Sequence, residues 1–221
     1  MLNLFLLLFH LFLLTICSFW AARLGKEALI TLVCLMAVMA NLFVLKQTFL
    51  GPLTITCSDA FAVGISLNLN LLQTSYGKKS ANQAVFLSFL SLLFFGIMSQ
   101  FHLLYLPASQ DQYDGLYTQL FSVTPRLLLA SIIAFALSQQ IDVHGFHFIS
   151  KLYPQLSWKI RNMLTITFSQ AVDTLLFTLL GLYGVLSPLL PLMLMSYSVK
   201  LLLVFLLPFL HSIPKEKSFD V

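Results

Sequence analysis

The sequence predicts an all-α protein, a polytopic bundle of transmembrane helices, from three observations. Hydrophobic residues make up 59% of the chain and charged residues 9%, against roughly 45–50% and about 25% in soluble domains. The apolar residues gather into runs of about 20, the length needed to cross the hydrocarbon core as a helix. The few lysines and arginines sit in short clusters between those runs, as membrane topology requires. A formal net charge of +4 distributed in this way gives no reason to expect a nucleic-acid partner. The bilayer is the expected partner, and the 221 residues leave no polar stretch long enough for a separate soluble domain.

Seven apolar runs occupy residues 2–20, 28–47, 53–73, 83–106, 121–141, 163–186 and 189–210. The first lacks a positive leading segment and is longer than the roughly 7–15 residues of a secretory signal, so it is expected to stay as a helix. Arg23 and Lys26 follow it. The second run carries Asn41. The third is interrupted by Asp59, Asn68 and Asn70 and preceded by the breaker Gly51-Pro52, which leaves a re-entrant segment as the alternative to a full span. Charge alternation favours the span, because Lys78 and Lys79 after it then face the same side as Arg23 and Lys26. Lys151, Lys159 and Arg161 follow the fifth run, and Lys215 and Lys217 the last. The intervening segment 107–120 holds Asp111 and Asp114 but no lysine or arginine. The positive-inside rule places it outside, with the N-terminus outside and the tail 211–221 cytoplasmic. Cys17, Cys34 and Cys57 form no CxxC pair, and packing is their expected role.

Helical periodicity then sorts the polar residues into faces. On the fifth segment Arg126, Ala130, Ala134, Ser138 and Asp142 recur every four residues and share a slowly drifting face. Its small middle suits close approach of another helix, either within the bundle or from a partner. On the sixth, Asn162, Ser169 and Asp173 are grouped, with Gln170 and Thr174 on the flank and Phe177 a turn beyond. Asp173 lies about 16 Å into that run at about 1.5 Å per residue, a depth where an ionised carboxylate needs a partner or a function. On the third, Asp59, Ala62, Ser66 and Asn70 align. With Asn41 on the second, polar faces on four helices imply a common cavity.

Other signals point to no chemistry. Asp142, His144 and His147 spell D-x-H-x-x-H, but no HExxH or nearby thiolate accompanies them, and no metal is assigned. No phosphate-binding glycine loop is present, so the chain itself is not expected to hydrolyse ATP, and no cofactor is implied.

The stretch from Arg126 to Phe146, RLLLASIIAFALSQQIDVHGF, is followed by WKIRN ending at Asn162 and SQAVDTLLF from Ser169 to Phe177. Together with Asn41 to Gln73 and the YGKKSA beginning at Tyr76, these resemble the queuosine precursor transporter family, grouped near the vitamin-uptake transporters. The likeness covers about residues 30 to 210. It departs near Asn70, where many relatives carry an acid. The resemblance implies a six-helix core at 28–210, similar to the substrate-binding components of energy-coupling-factor transporters, with residues 1–24 as an extra N-terminal helix. It implies a non-enzymatic inner-membrane carrier that salvages a 7-deazaguanine (queuine, preQ1 or preQ0) for tRNA modification.

A guanine-type edge presents two parallel N–H donors that one carboxylate accepts together. Asp173 is the first candidate for that carboxylate and Asp142 the second. Asn41, Asn70, Gln73, Asn162, Ser169 and Gln170 are candidates for the remaining polar contacts, and Phe177 for stacking on the base. Arg126 and Arg161 are candidates for ion pairing or gating, Arg161 with Asp142. Two rivals stand beside a carrier working alone: a capture subunit docking on an energising module, and an intramembrane enzyme using Asp142 and Asp173 as a dyad. A homo-oligomer is compatible with each.

Overall fold

The computed structural model describes residues 2–50 and 53–210. Within them it leaves out the side chains of Leu53, Gln139, Asp142, Val143, Phe146, Trp158, Lys159, Asn162 and residues 202–210. The expected tail 211–221 lies outside the described residues. In chain order the elements are α1 (Leu2–Leu24), α2 (Lys26–Phe43), the strands β1 (Gln47–Leu50) and β2 (Leu53–Thr56), and α3 (Asp59–Leu103). They continue with α4 (Asp114–Phe121), α5 (Thr124–Leu152), α6 (Trp158–Phe177), a π-helical turn (Thr178–Leu182) and α7 (Leu189–Leu210).

This is the multi-pass helical membrane protein that the hydropathy pattern predicts. α1, α2, α3, the stretch Asp114–Ser138 and Met163–Leu182 are long and apolar enough to cross a bilayer, and Leu189–Leu201 is a shorter apolar helix. At 45 residues α3 is twice the needed length, and it is folded back at Gly77, whose φ of 80° and ψ of 167° are not helical. It therefore supplies two limbs, 59–76 and 78–103. The first limb, about 27 Å at about 1.5 Å per residue, has the length of a full crossing rather than of a re-entrant loop.

Gly77 occupies a region of backbone space that essentially only glycine visits, so a side chain there costs of order 1–3 kcal/mol. No atom lies within 4 Å of where a Cβ would sit, so this cost is one of backbone conformation and not of crowding. Gly77→Ala is expected to lower the thermal midpoint of the detergent-solubilised protein while leaving Gly115→Ala, in an equally open position without positive φ, close to wild type.

The third run holds a feature that hydropathy does not anticipate. Residues 47–50 and 53–56 form an antiparallel hairpin with Gln47 opposite Thr56 and Phe49 opposite Thr54. The third span starts only at Asp59, after it. The β-branched Thr48, Thr54, Ile55 and Thr56 suit short strands better than a helix. Cys57 N–H donates to the Lys46 carbonyl at 2.9 Å and closes the base of the hairpin. Asn3 Nδ2 donates to the Phe49 carbonyl at 2.7 Å, which fixes the start of α1 on the hairpin side of the bundle.

Close helix approach uses small residues, as expected where lipid supplies no hydrophobic drive between helices. A Cβ on Gly64 would stand 2.7 Å from Met36 Sδ of α2, and one on Gly181 would stand 3.2 Å from Ala130 Cβ of α5. A Cβ on Gly96 would meet Leu128 of α5. Ala130, Ala134 and Ser138 are all buried within the chain, so this stripe packs inward rather than forming an outer docking face. Leu29, Val33, Leu72 and Ala84 form the main apolar cluster, between α2 and the two limbs of α3.

Candidate functional site

A cavity of about 290 Å³ lies inside the bundle, just below the roughly 300–1,000 Å³ of drug-sized ligand pockets. That volume suits a small molecule of one or two rings. Its wall draws on α2, the hairpin base, both limbs of α3, α5, α6, the π-helical turn and α7, but not on α1. The wall runs from Val33 to Val44 on α2, from Ser58 to Leu69 on the first limb of α3, and from Leu192 to Lys200 on α7. These are the parts of each helix nearer the hairpin, so the cavity occupies that half of the bundle.

Three ionisable side chains line it, Asp59, Asp173 and Lys200. Lys200 Nζ donates to Asp173 Oδ2 at 2.6 Å and to Thr174 Oγ1 at 3.1 Å, joining α7 to α6. Side-chain exposures of 15% for Lys200 and 21% for Asp173 mark a pair that is partly open, in keeping with its place in the cavity wall. A paired carboxylate and ammonium cost far less in a membrane interior than either alone. One turn earlier on α7, Ser196 Oγ donates to Asp59 Oδ1 at 2.7 Å. Asp59 is 5% exposed, and its other oxygen, Oδ2, has no hydrogen-bond partner among the described residues.

The rest of the wall alternates polar and apolar groups. Asn41 Oδ1 accepts from Ser131 Oγ of α5 at 3.1 Å, while its Nδ2 donates to the Ala37 carbonyl. Gln170 and Phe177 line the cavity from α6. The π-helical turn follows Phe177 directly and carries Thr178 and Leu182 into the wall. Extra-wide turns of this kind recur at functional sites.

The structure thus brings Asp173, Asn41, Gln170 and Phe177 together around one chamber. Asn70 is half-buried with Nδ2 donating to the Ser66 carbonyl, and Gln73 is exposed; neither is among the lining residues. Ser169 is buried, with Oγ donating to the Ile166 carbonyl, and is likewise not among them. Arg126 Nε and Nη2 donate to the carbonyls of Leu180 and Tyr183 at 2.8 and 2.6 Å, so it holds the end of the π-helical turn to α5. Arg161 is half-buried in the first turn of α6. The side chains of Asp142 and Asn162 lie outside the described residues. His144 is exposed with Nδ1 at 2.8 Å from the Gln140 carbonyl, and His147 is exposed too. Among the described residues no group of histidine, cysteine or acidic side chains is arranged to hold a metal ion.

Sequence reasoning missed Lys200 and Ser196, and put Asp59 on a cavity-facing helix surface without naming it as a ligand contact. Lys200 interrupts an apolar run, and an isolated cation at that depth is a signal in its own right.

A multi-pass helical bundle around a small chamber with charged, amide and hydroxyl groups in its wall is the architecture of a membrane carrier for a small polar molecule. The comparisons with known proteins agree: residues 56–213 match the family described as "Putative vitamin uptake transporter", and the chain belongs to that family. A relative from Bacillus subtilis (strain 168), named "Probable queuosine precursor transporter", is 34% identical over 163 residues, 73% of this chain and 71% of that protein. No solved structure matches the chain.

Proposed function

We propose that the chain imports a queuosine precursor, a 7-deazaguanine base, across the bacterial cytoplasmic membrane. The observation that carries this reading is the chamber of about 290 Å³ with Asp173, Gln170, Asn41 and Phe177 in one wall, in a chain related to a protein of that name. Asp173 Oδ2 is taken by Lys200, but each carboxylate oxygen has two lone pairs. The group can therefore still accept the parallel N–H donors of a guanine-type edge. Gln170 and Asn41 offer both donors and acceptors for the carbonyl and ring nitrogens, and Phe177 offers a face for the base. Asn70, Gln73 and Ser169 do not line the chamber, and Asn162 is kept as a candidate contact. Asp142 lies one turn beyond Ser138, and we keep it as a gate with Arg161.

The small-residue stripe of α5 is buried within the chain, which supports a carrier that works without a partner docked on that stripe. Uptake should therefore persist in a host lacking energy-coupling-factor modules; loss of uptake there would favour the capture-subunit alternative. The alternation of basic loops supports an outward N-terminus, an outward hairpin and a chamber nearer the outer face. A cysteine at Gln112, in the acidic segment before α4, should react with an impermeant maleimide added to intact cells. Labelling only after permeabilisation would invert the topology.

Competition for uptake in a strain unable to make the precursor tests the function itself. Unlabelled 7-deazaguanines should displace labelled queuine, and adenine should not. Displacement by none of the 7-deazaguanines would remove this reading.

A further inference from the structure

We infer that the ligand bears a positive charge, and that Asp59 is the residue that selects for it. This deepens the function proposed above and rests on it. The chamber wall holds two carboxylates and one ammonium, Asp59, Asp173 and Lys200. Lys200 is committed to Asp173 and Thr174 at 2.6 and 3.1 Å. Arg126 is committed to the carbonyls of Leu180 and Tyr183 and is not in the wall. Lys46, beside the hairpin, is exposed. Lys200 and Asp173 form a pair, and the second carboxyl group in the wall, Asp59, has no cation hydrogen-bonded to it among the described residues.

Asp59 is also the one that the protein satisfies least. Ser196 donates to Oδ1 at 2.7 Å and Thr56 lies beside the carboxyl group, whereas Oδ2 is buried with no hydrogen bond among the described residues. A buried carboxyl oxygen without a hydrogen-bond partner is costly, and an arriving cationic N–H supplies both the missing donor and the charge that favours the carboxylate. The chamber is the route by which such a group arrives, because Asp59 is part of its wall.

Placement matches the shape of the ligand class. Ser196 and Lys200 lie about one turn apart on α7, about 6 Å along its axis, and hold Asp59 and Asp173 respectively. A 7-deazaguanine whose two-donor edge meets Asp173 carries its seven-position substituent on the opposite side of the fused rings, toward a second group. In preQ1 and queuine that substituent contains a protonated amine. In preQ0 it is a neutral nitrile, and guanine has none.

The test uses the full chain in whole cells and compares preQ1 with 7-hydroxymethyl-7-deazaguanine, which is nearly the same shape but uncharged. In the wild type, preQ1 should compete for labelled queuine about tenfold or more better than the hydroxymethyl compound, as expected for a charge-assisted contact against a neutral one. In Asp59→Asn that ratio should fall to within about threefold of one. Equal competition in the wild type would overturn the inference and leave the proposed function intact, as would an Asp59→Asn protein that keeps the wild-type ratio. Failure of every 7-deazaguanine to compete would overturn both. If Asp59→Asn does not accumulate in the membrane, Asp59→Ser, which is smaller and also uncharged, takes its place with the same two outcomes.

Discussion

Asp173→Asn is expected to weaken ligand binding about 30- to 150-fold, corresponding to about 2–3 kcal/mol. The substitution keeps the side chain's shape but replaces one acceptor oxygen with an N–H donor, which opposes the ligand's own donors and removes charge assistance. It also strips Lys200 of the carboxylate at 2.6 Å, leaving an ammonium in the chamber wall with Thr174 as its remaining described partner. A cationic ligand then meets uncompensated positive charge, which adds to the loss. Binding of labelled queuine to membranes matched for protein content measures it. Combining Asp173→Asn with Lys200→Met removes both charges. The pair should restore membrane levels to near wild type without restoring affinity, because the repulsion is gone but the acceptor is still missing. Unchanged affinity in Asp173→Asn would take this carboxylate out of the binding site.

Ala134→Phe is expected to reduce uptake at least 100-fold while leaving the protein in the membrane. Ala134 is 1% exposed and lies in the chamber wall on α5, between Ser131 and Ser138. An aromatic ring there competes with the ligand for a space of about 290 Å³. Overpacking typically costs about 1–3 kcal/mol, and the adjoining chamber gives the ring somewhere to go. Detergent-solubilised protein that still runs as a single species, yet fails to bind labelled ligand, is the expected result. Uptake at wild-type rates would show that the ligand travels elsewhere.

Much of this architecture was legible from the sequence because a bilayer imposes a length and a polarity on every crossing segment. The apolar runs placed the helices, and the convergence of Asn41, Asp59, Gln170 and Asp173 on one chamber agrees with their helical periodicity. Periodicity gives the angle of a residue around its helix and not its depth. Asn70 and Gln73 fall close to the Asp59 face by angle, yet they lie beyond Leu69, where the lining of that limb ends. Ser169 fails for the other reason, since the arc of α6 that lines the chamber runs through Gln170, Asp173, Thr174 and Phe177. The hairpin was hidden because threonines and isoleucine score as apolar enough to extend a membrane run, although their branching favours strands. The partner of Asp173 could be found only in three dimensions, since Lys200 is 27 residues further along the chain.

The contact between α1 and the first limb of α3 has a bearing on assembly. Asn68 is fully buried, and its Nδ2 donates to Ser18 Oγ of α1 at 2.8 Å. Gly64, one turn earlier, has Leu14 of α1 within 3.5 Å of its would-be Cβ. A glycine and an amide four residues apart on one helix face make an adhesive seam in hydrocarbon, of the kind that draws two copies of a protein together. Here the chain brings its own occupant for that seam. Trimming the protein back to Lys26 would uncover it and turn a surface satisfied within one molecule into one that seeks a mate.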